Sequence, residues 1–181
     1  MATVGFSGGA KLEAYLAGIV KKVAQDKTLR VGFLEIAKYP DGTNVAQVAF
    51  WNEYGTKTSP PRPFFRNMIA AKSTKWGDNL GRVLANNDYD VDKAFTIMGI
   101  GIKEQLQKSI LDTNEPALSP ITIMLRGMRR NDPSLIVTGS IVGEAAARVA
   151  AGETNYGASS TVLIDTGMMQ GDRGVGFDIQ G

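Results

Sequence analysis

WNEYGTKTSPPRPFFRNM, Trp51 to Met68, is the stretch on which the layout of the chain turns. Gly55 stands where an apolar-faced helix should end, and a glycine just past a helix terminus can take the left-handed conformation that closes the last turn. A polar loop, Thr56 to Ser59, follows. Pro60, Pro61 and Pro63 then stiffen the backbone, and Phe64 opens a second helix, since proline cannot continue a helix but suits the start of one. The block reads as helix, rigid corner, helix. Trp51, Tyr54, Phe64 and Phe65 are expected at the bend, as a corner of the core.

Upstream, the small, Gly-rich residues at 1–10 are expected to form a flexible arm. A helix is predicted from Lys11 to Gln25, because Leu12, Tyr15, Leu16, Ile19, Val20 and Val23 make a one-sided apolar stripe. Lys21 and Lys22 fall near its C-terminus, where the helix dipole favours cations. Leu29–Ile36 is β-rich with apolar residues on both faces, which predicts a strand covered on each side. Tyr39-Pro40-Asp41-Gly42 is a turn. Asn44 can cap the helix ending at Tyr54, with Gln47 completing a capping-box-like pair.

Downstream, one long helix is predicted from Phe64 to about Asn86, with Gly77 and Gly81 weakening its middle or marking close packing. Asp90 can cap another, Val91 to Leu111, whose core face is Val91, Phe95, Met98, Ile102, Leu106 and Ile110. Gly99 and Gly101 should let a neighbouring element approach it. Ser119-Pro120 opens a short helix to about Arg129. Residues 134–139 suggest a short strand, and Ser140 to Gly152 an alanine-rich helix with Glu144 and Arg148 spaced for an i, i+4 pair. TVLIDTG, 161–167, leads to a last strand, Val175 to Ile179, whose apolar residues alternate. LIVTG at 135–139 and LIDTG at 163–167 suggest two similar strand-to-turn exits. Together the elements predict an α+β fold, with a small, mainly antiparallel sheet against several long helices, in one domain over residues 11–181.

Composition narrows the function. The 181 residues and 43% hydrophobic content suit one globular domain with a real core. The net charge of +2 argues against a basic nucleic-acid-binding regulator. The charge is uneven, however: residues 1–86 hold 12 Lys/Arg against 6 Asp/Glu, and residues 87–181 hold 8 against 12. The split is either a chance distribution over one folded surface or the mark of a two-faced subunit whose ends meet in a head-to-tail ring. There is no cysteine for disulfide or thiol chemistry and no histidine to act as base or metal ligand. No apolar run is long enough to span a bilayer, and the first residues lack the pattern of a secretory signal, so a chain made and assembled in the cytoplasm is expected.

The residues that could carry chemistry are few. Leu163-Ile164-Asp165-Thr166-Gly167 resembles the catalytic turn of retroviral-type aspartic proteases, in which two aspartates share a proton. Only 14 residues follow Gly167, and the helices upstream do not suit that all-β fold. The alternative is a turn in which Asp165 bonds nearby amides and Gly167 takes the unusual φ. Asp88, Asp90 and Asp92 read as helix-start acids rather than a metal site. Arg126, Arg129 and Arg130 form a basic helix end, either solvated or facing phosphates or an acidic partner. Trp51 and Trp76 lie on apolar faces and are expected in the core.

Three separated pieces of this chain resemble the tail-completion or neck proteins of tailed bacteriophages. The first is Glu53-Tyr54-Gly55-Thr56 followed by Pro61-Arg62-Pro63-Phe64-Phe65-Arg66. The second is Leu118-Ser119-Pro120 with Thr122 and Arg126, and the third is the Leu163–Gly167 turn before the closing strand. The chain departs from that pattern in an extra strand–helix segment at about 131–160. The resemblance implies an α+β structural virion protein with no catalysis, cofactor or metal. It implies a ring at the head–tail junction, through which DNA passes unread. Its neighbours would be a connector or adaptor, a tail terminator and the tail tube, and it would need no membrane. A tail-terminator or minor-tail role is the near alternative, and a hydrolase using Asp165 the remote one. Thr56, Lys57, Arg62, Arg126, Arg129 and Arg130 are the candidate contact residues; Gly55, Pro61, Pro63, Phe64, Asp165 and Gly167 are structural parts of the motif.

Overall fold

A computed structural model describes residues 8–154, 156–158 and 160–181. The elements run α1 (Gly9–Val23), β1 (Thr28–Phe33), α2 (Val45–Tyr54), α3 (Phe64–Lys72), a 3₁₀ turn (Ser73–Lys75), α4 (Trp76–Asn86), α5 (Val91–Asp112), α6 (Pro120–Asn131), α7 (Gly139–Ala150) and β2 (Val175–Gln180). The fold is α+β, as expected, with its described strands in one antiparallel pair. Thr28 lies opposite Gln180 and Phe33 opposite Val175. Of the arm expected at 1–10, residues 1–7 lie outside the described residues, and Gly9 and Ala10 already belong to α1. Among the described residues no helix is long and apolar enough to cross a membrane.

The caps explain the starts of four helices. Asn44 Oδ1 accepts from the Ala46 amide at 2.8 Å and Asp90 Oδ1 from the Lys93 amide at 3.0 Å. Ser119 Oγ accepts from the Thr122 amide at 3.2 Å, with Pro120 at the first helical position. Each satisfies a donor that the helix itself leaves orphaned. Thr138 starts α7 in the same way, through the Ile141 amide. Residues 134–138 therefore run as irregular chain into a helix, not as the expected strand, and neither LIVTG nor LIDTG leaves a strand.

Helix α5 is the central beam. Helices α3 and α4 pack along it, and both strands lie across it. Phe64, Leu106, Ile110 and Val175 are completely or almost completely buried, with Val45, Met68, Leu163 and Met169 around them. The Phe33 ring meets the Phe64 ring edge-on at 6.1 Å. The sheet face bearing Val31 and Phe177 is turned to α5, and Gly99 lets it in: a Cβ there would collide with the Phe177 ring. Gly101 has open space instead of the expected close neighbour. The expected two-sided cover of β1 is not observed. Exposure alternates from Thr28 to Val31, with Arg30 open to solvent, because one layer of helix cannot cover both faces.

Three further expectations give way. The helix expected from Phe64 to Asn86 breaks at Ser73-Thr74-Lys75, where the chain tightens to a 3₁₀ turn and restarts at Trp76. Gly77 and Gly81 lie inside α4, with open space beyond each. Arg148 pairs with Glu153 beyond its helix at 2.6 Å, rather than with Glu144 one turn back. The stripe of α1 is not a core face: no residue of α1 is buried, and Leu12, Tyr15, Leu16 and Val20 are each at least half exposed.

Candidate functional site

The corner at 51–66 is built around a buried acid. Glu53 ends α2 with 5% of its surface exposed. Its carboxylate accepts from the backbone amides of Phe65 and Arg66 at 2.9 and 3.1 Å. Pro63 precedes α3 and offers no side-chain cap, so an acid 11 residues before Phe64 supplies the missing acceptor. Negative charge at that end also suits the helix dipole. The Arg66 guanidinium closes the device, donating to Glu53 Oε1 at 2.8 Å and to the Glu53 carbonyl at 3.0 Å, with its carbon 4.8 Å from the Tyr54 ring centre.

Gly55 makes the corner possible. Its φ is +77°, and a Cβ there would stand 2.9 Å from both Pro61 N and the Ser59 carbonyl oxygen. The Thr56–Ser59 loop closes on itself, Thr56 Oγ1 accepting from the Ser59 amide at 3.1 Å and the Thr56 amide donating to the Ser59 carbonyl at 2.9 Å. Thr56 and Lys57 remain exposed, as expected. Arg62 does not. It is 6% exposed, its Nε donates to the Pro116 carbonyl at 3.0 Å, and burial lowers the pKa of its guanidinium. It is a strut between the corner and the segment before α6, not a surface contact.

Arg126 is likewise turned inward, with 15% of its side chain exposed. Its guanidinium donates to the carbonyls of Thr161, Val162 and Ile164 at 2.8, 3.0 and 3.2 Å, and Nε lies 3.9 Å from Asp165 Oδ1. Burial lowers its pKa, while Asp165 opposes that shift. Asp165 thus faces a guanidinium, in place of the expected bonds to nearby amides. Thr166 Oγ1 accepts from the Met168 amide at 3.4 Å, and Gly167 takes a φ of +76°. The LIDTG segment is a turn clamped by an arginine from α6.

These pieces border one groove of about 650 Å³. Trp51 and Asn52 of α2 form one wall, Arg126, Arg129 and Arg130 of α6 another, and Asp165 and Thr166 a third. Tyr39 and Asp41 close an end. Trp51, expected in the core, is 41% exposed. Burial raises the Tyr39 phenol pKa, and Asp165 adds to the effect. Asp41 shifts the other way, held below the ordinary carboxylate range chiefly by the Thr43 amide, which donates to it at 2.9 Å. Arg129 and Arg130 are exposed as expected, Arg130 donating to the Gly157 carbonyl at 3.1 Å. Of the candidate contacts, Arg126, Arg129 and Arg130 therefore line this groove, whereas Thr56 and Lys57 are not among its lining residues. Tyr39, Asp41 and Asn52, which the sequence did not single out as site residues, also line it, the first two from the turn before α2 and the third from α2 itself.

Comparison of the chain with protein-family models, with curated proteins and with solved structures gives no match.

Proposed function

We propose that this chain is a structural virion protein of a tailed phage. It is a tail-completion or neck subunit, forming a closed ring at the head–tail junction through which DNA passes. The observation that carries the reading is the convergence of the three motif pieces. Arg62 of the first bonds the carbonyl of Pro116, just before the second, and Arg126 of the second clamps the backbone of the third. Residues remote in sequence thus hold one another in place, which supports the resemblance: the motif residues build one another's positions.

A ring subunit needs repeated, heterologous contacts rather than a reaction centre. Exposed Thr56, Lys57, Arg129 and Arg130 suit contacts with copies of itself or with the connector, terminator and tube. Arg62 and Arg126 serve the fold instead. A tail-terminator or minor-tail role uses the same chemistry at a neighbouring level of the particle.

Electron cryo-microscopy of the assembled particle, with this chain labelled, tests the reading. A ring of density between portal and tail tube is expected. A chain found at the tail tip, or never in the particle, overturns the neck assignment.

A further inference from the structure

Helices α6 and α7 form a lobe with a small core of its own. Met124 of α6 and Ala145 of α7 are almost completely buried, yet neither belongs to the cluster around Phe64, Leu106 and Ile110. The two helices pack on each other, and neither packs extensively on α1 to α5 or on the strands. The chain enters the lobe through the irregular stretch 113–119. It leaves after Ala150, with no helix or strand before β2 among the described residues.

The joint between lobe and body is held by guanidinium groups. Val162, Leu163 and Met169 sit in the body's core, and Arg126 ties the middle of α6 to the carbonyls of Thr161, Val162 and Ile164. Arg62 makes a second tie, from the corner to the Pro116 carbonyl at the lobe's entrance, where Leu118 also packs on the body's core. These clamps fix where lobe and body meet. They are not the large apolar interface that locks two parts of a chain together.

The 650 Å³ groove lies in this joint. Arg129 and Arg130 overhang it, one turn beyond the Arg126 clamp, and the body offers Trp51 and Asn52 of α2 with Asp41 of the preceding turn. Asp41 and Arg129 face each other across it. The Thr43 amide first, and Arg129 in addition, hold the Asp41 carboxyl below its ordinary value. Yet among the described residues the two make no contact ion pair, so opposite charges stand apart over a gap.

We propose that the α6–α7 lobe rocks against the body about the Arg126 clamp, and that its closed position seats Arg129 on Asp41 and covers Trp51. The structure shows the open position. The bend falls in irregular chain at the ends of α6 and α7, where a few residues can absorb the change in backbone angles. An exposed ion pair favours closure by no more than about fivefold, so it tips the balance between the two positions without locking either. The motion belongs to the single chain and holds whether or not the chain forms a ring.

The chain has no cysteine, so labels go only where they are placed. Spin labels at Lys72→Cys on α3 and Glu144→Cys on α7, both exposed, report the lobe-to-body distance in the full chain by pulsed electron paramagnetic resonance. Two separations are expected. Asp41→Asn, which keeps an acceptor for the Thr43 amide, and Arg129→Gln should each deplete the same one of the two by up to about fivefold, and concentrated salt should do likewise. In a separate variant, Asp41→Cys with Arg129→Cys should form an intramolecular disulfide under mild oxidation and lower the quenching of tryptophan emission by acrylamide. A label pair within the body, Lys72→Cys with Lys93→Cys, should keep one narrow separation throughout, which shows that the variants are folded. One narrow lobe-to-body separation that neither substitution moves overturns the proposal, as does failure of the disulfide to form. A body pair that broadens together with the lobe pair also overturns it, since that is general loosening and not a hinge.

Discussion

Glu53 holds the first turn of α3 by two backbone amides while Arg66, from that same turn, reaches back to the Glu53 side chain and carbonyl. Each end of the corner thus satisfies the other. Replacing Glu53 by Ala strands both amides and is expected to cost about 2–3 kcal/mol of unfolding free energy. Glu53→Gln, which keeps one acceptor oxygen, should cost less. Arg66→Ala should cost the least, because its side chain is half exposed and its ion pair is screened. Urea titrations read all three, and equal losses for Glu53→Ala and Arg66→Ala would refute the ordering.

Three glycines make a contrast set. Gly55→Ala places a Cβ against backbone atoms at a positive φ, so a loss of about 1–3 kcal/mol is expected. Gly99→Ala drives a methyl into the Phe177 ring and should cost a similar amount by overpacking. Gly101→Ala, in the same helix with open space beyond it, should gain about 0.5–1 kcal/mol from helix propensity alone. Thermal melts of the three variants decide; a destabilised Gly101→Ala would mean that the space beyond it is occupied in solution.

Arg126 and Asp165 should behave unequally although they face each other. Arg126→Ala leaves three loop carbonyls without their donor and is expected to cost about 3 kcal/mol. Lysine at that position restores the charge without the planar fork and should recover only part. Asp165→Asn should cost under about 1 kcal/mol, since the pair is 3.9 Å apart and Asp165 is nearly half exposed. The same variant discriminates the functional classes: particle assembly should survive it, whereas any hydrolase activity resting on Asp165 would vanish.

Acid should weaken the fold through a few surface carboxylates. Asp172 is held below its ordinary value by Gln107, then by Lys103, and Glu153 by Arg148. With folded pKa values depressed, the unfolded chain binds more protons as the pH falls, so their contribution is present above the unfolded pKa and lost on descent through the folded one. Stability should be level from neutrality to about pH 4.5 and fall below it. Asp172→Asn should shallow that acid limb, and an unchanged limb in Gdn-free thermal melts would show that this carboxylate is not coupled to folding.

Local chemistry made part of this fold legible. Asn44, Asp90 and Ser119 announce helix starts because a cap bonds within three residues of itself. Gly55 announces the corner because its positive φ is one that residues with a side chain rarely adopt. What stayed hidden depends on partners far along the chain. Arg62 and Arg126 look like surface charges until carbonyls from residues 116 and 161–164 arrive to solvate them. Trp51 looks like core until the groove leaves it open. The stripe of α1 is a sound helix signal, but periodicity says only that a face is apolar, not whose surface covers it. The break at Ser73–Lys75 carries no proline or glycine to announce it, and α3 and α4 pack along α5 on either side of it.

The pairing of Thr28 with Gln180 has a kinetic side. The strand near the start of the chain has its partner near the last residues described, and Val31 and Phe177 complete the same covered face over α5. Closing so long a loop costs entropy before the contact returns anything, so helices and the corner form early and the sheet late. During synthesis, β1 waits with its pairing edge open until β2 leaves the ribosome. A chain stopped before Val175 leaves that edge unpaired and is therefore a natural target for chaperones and proteases.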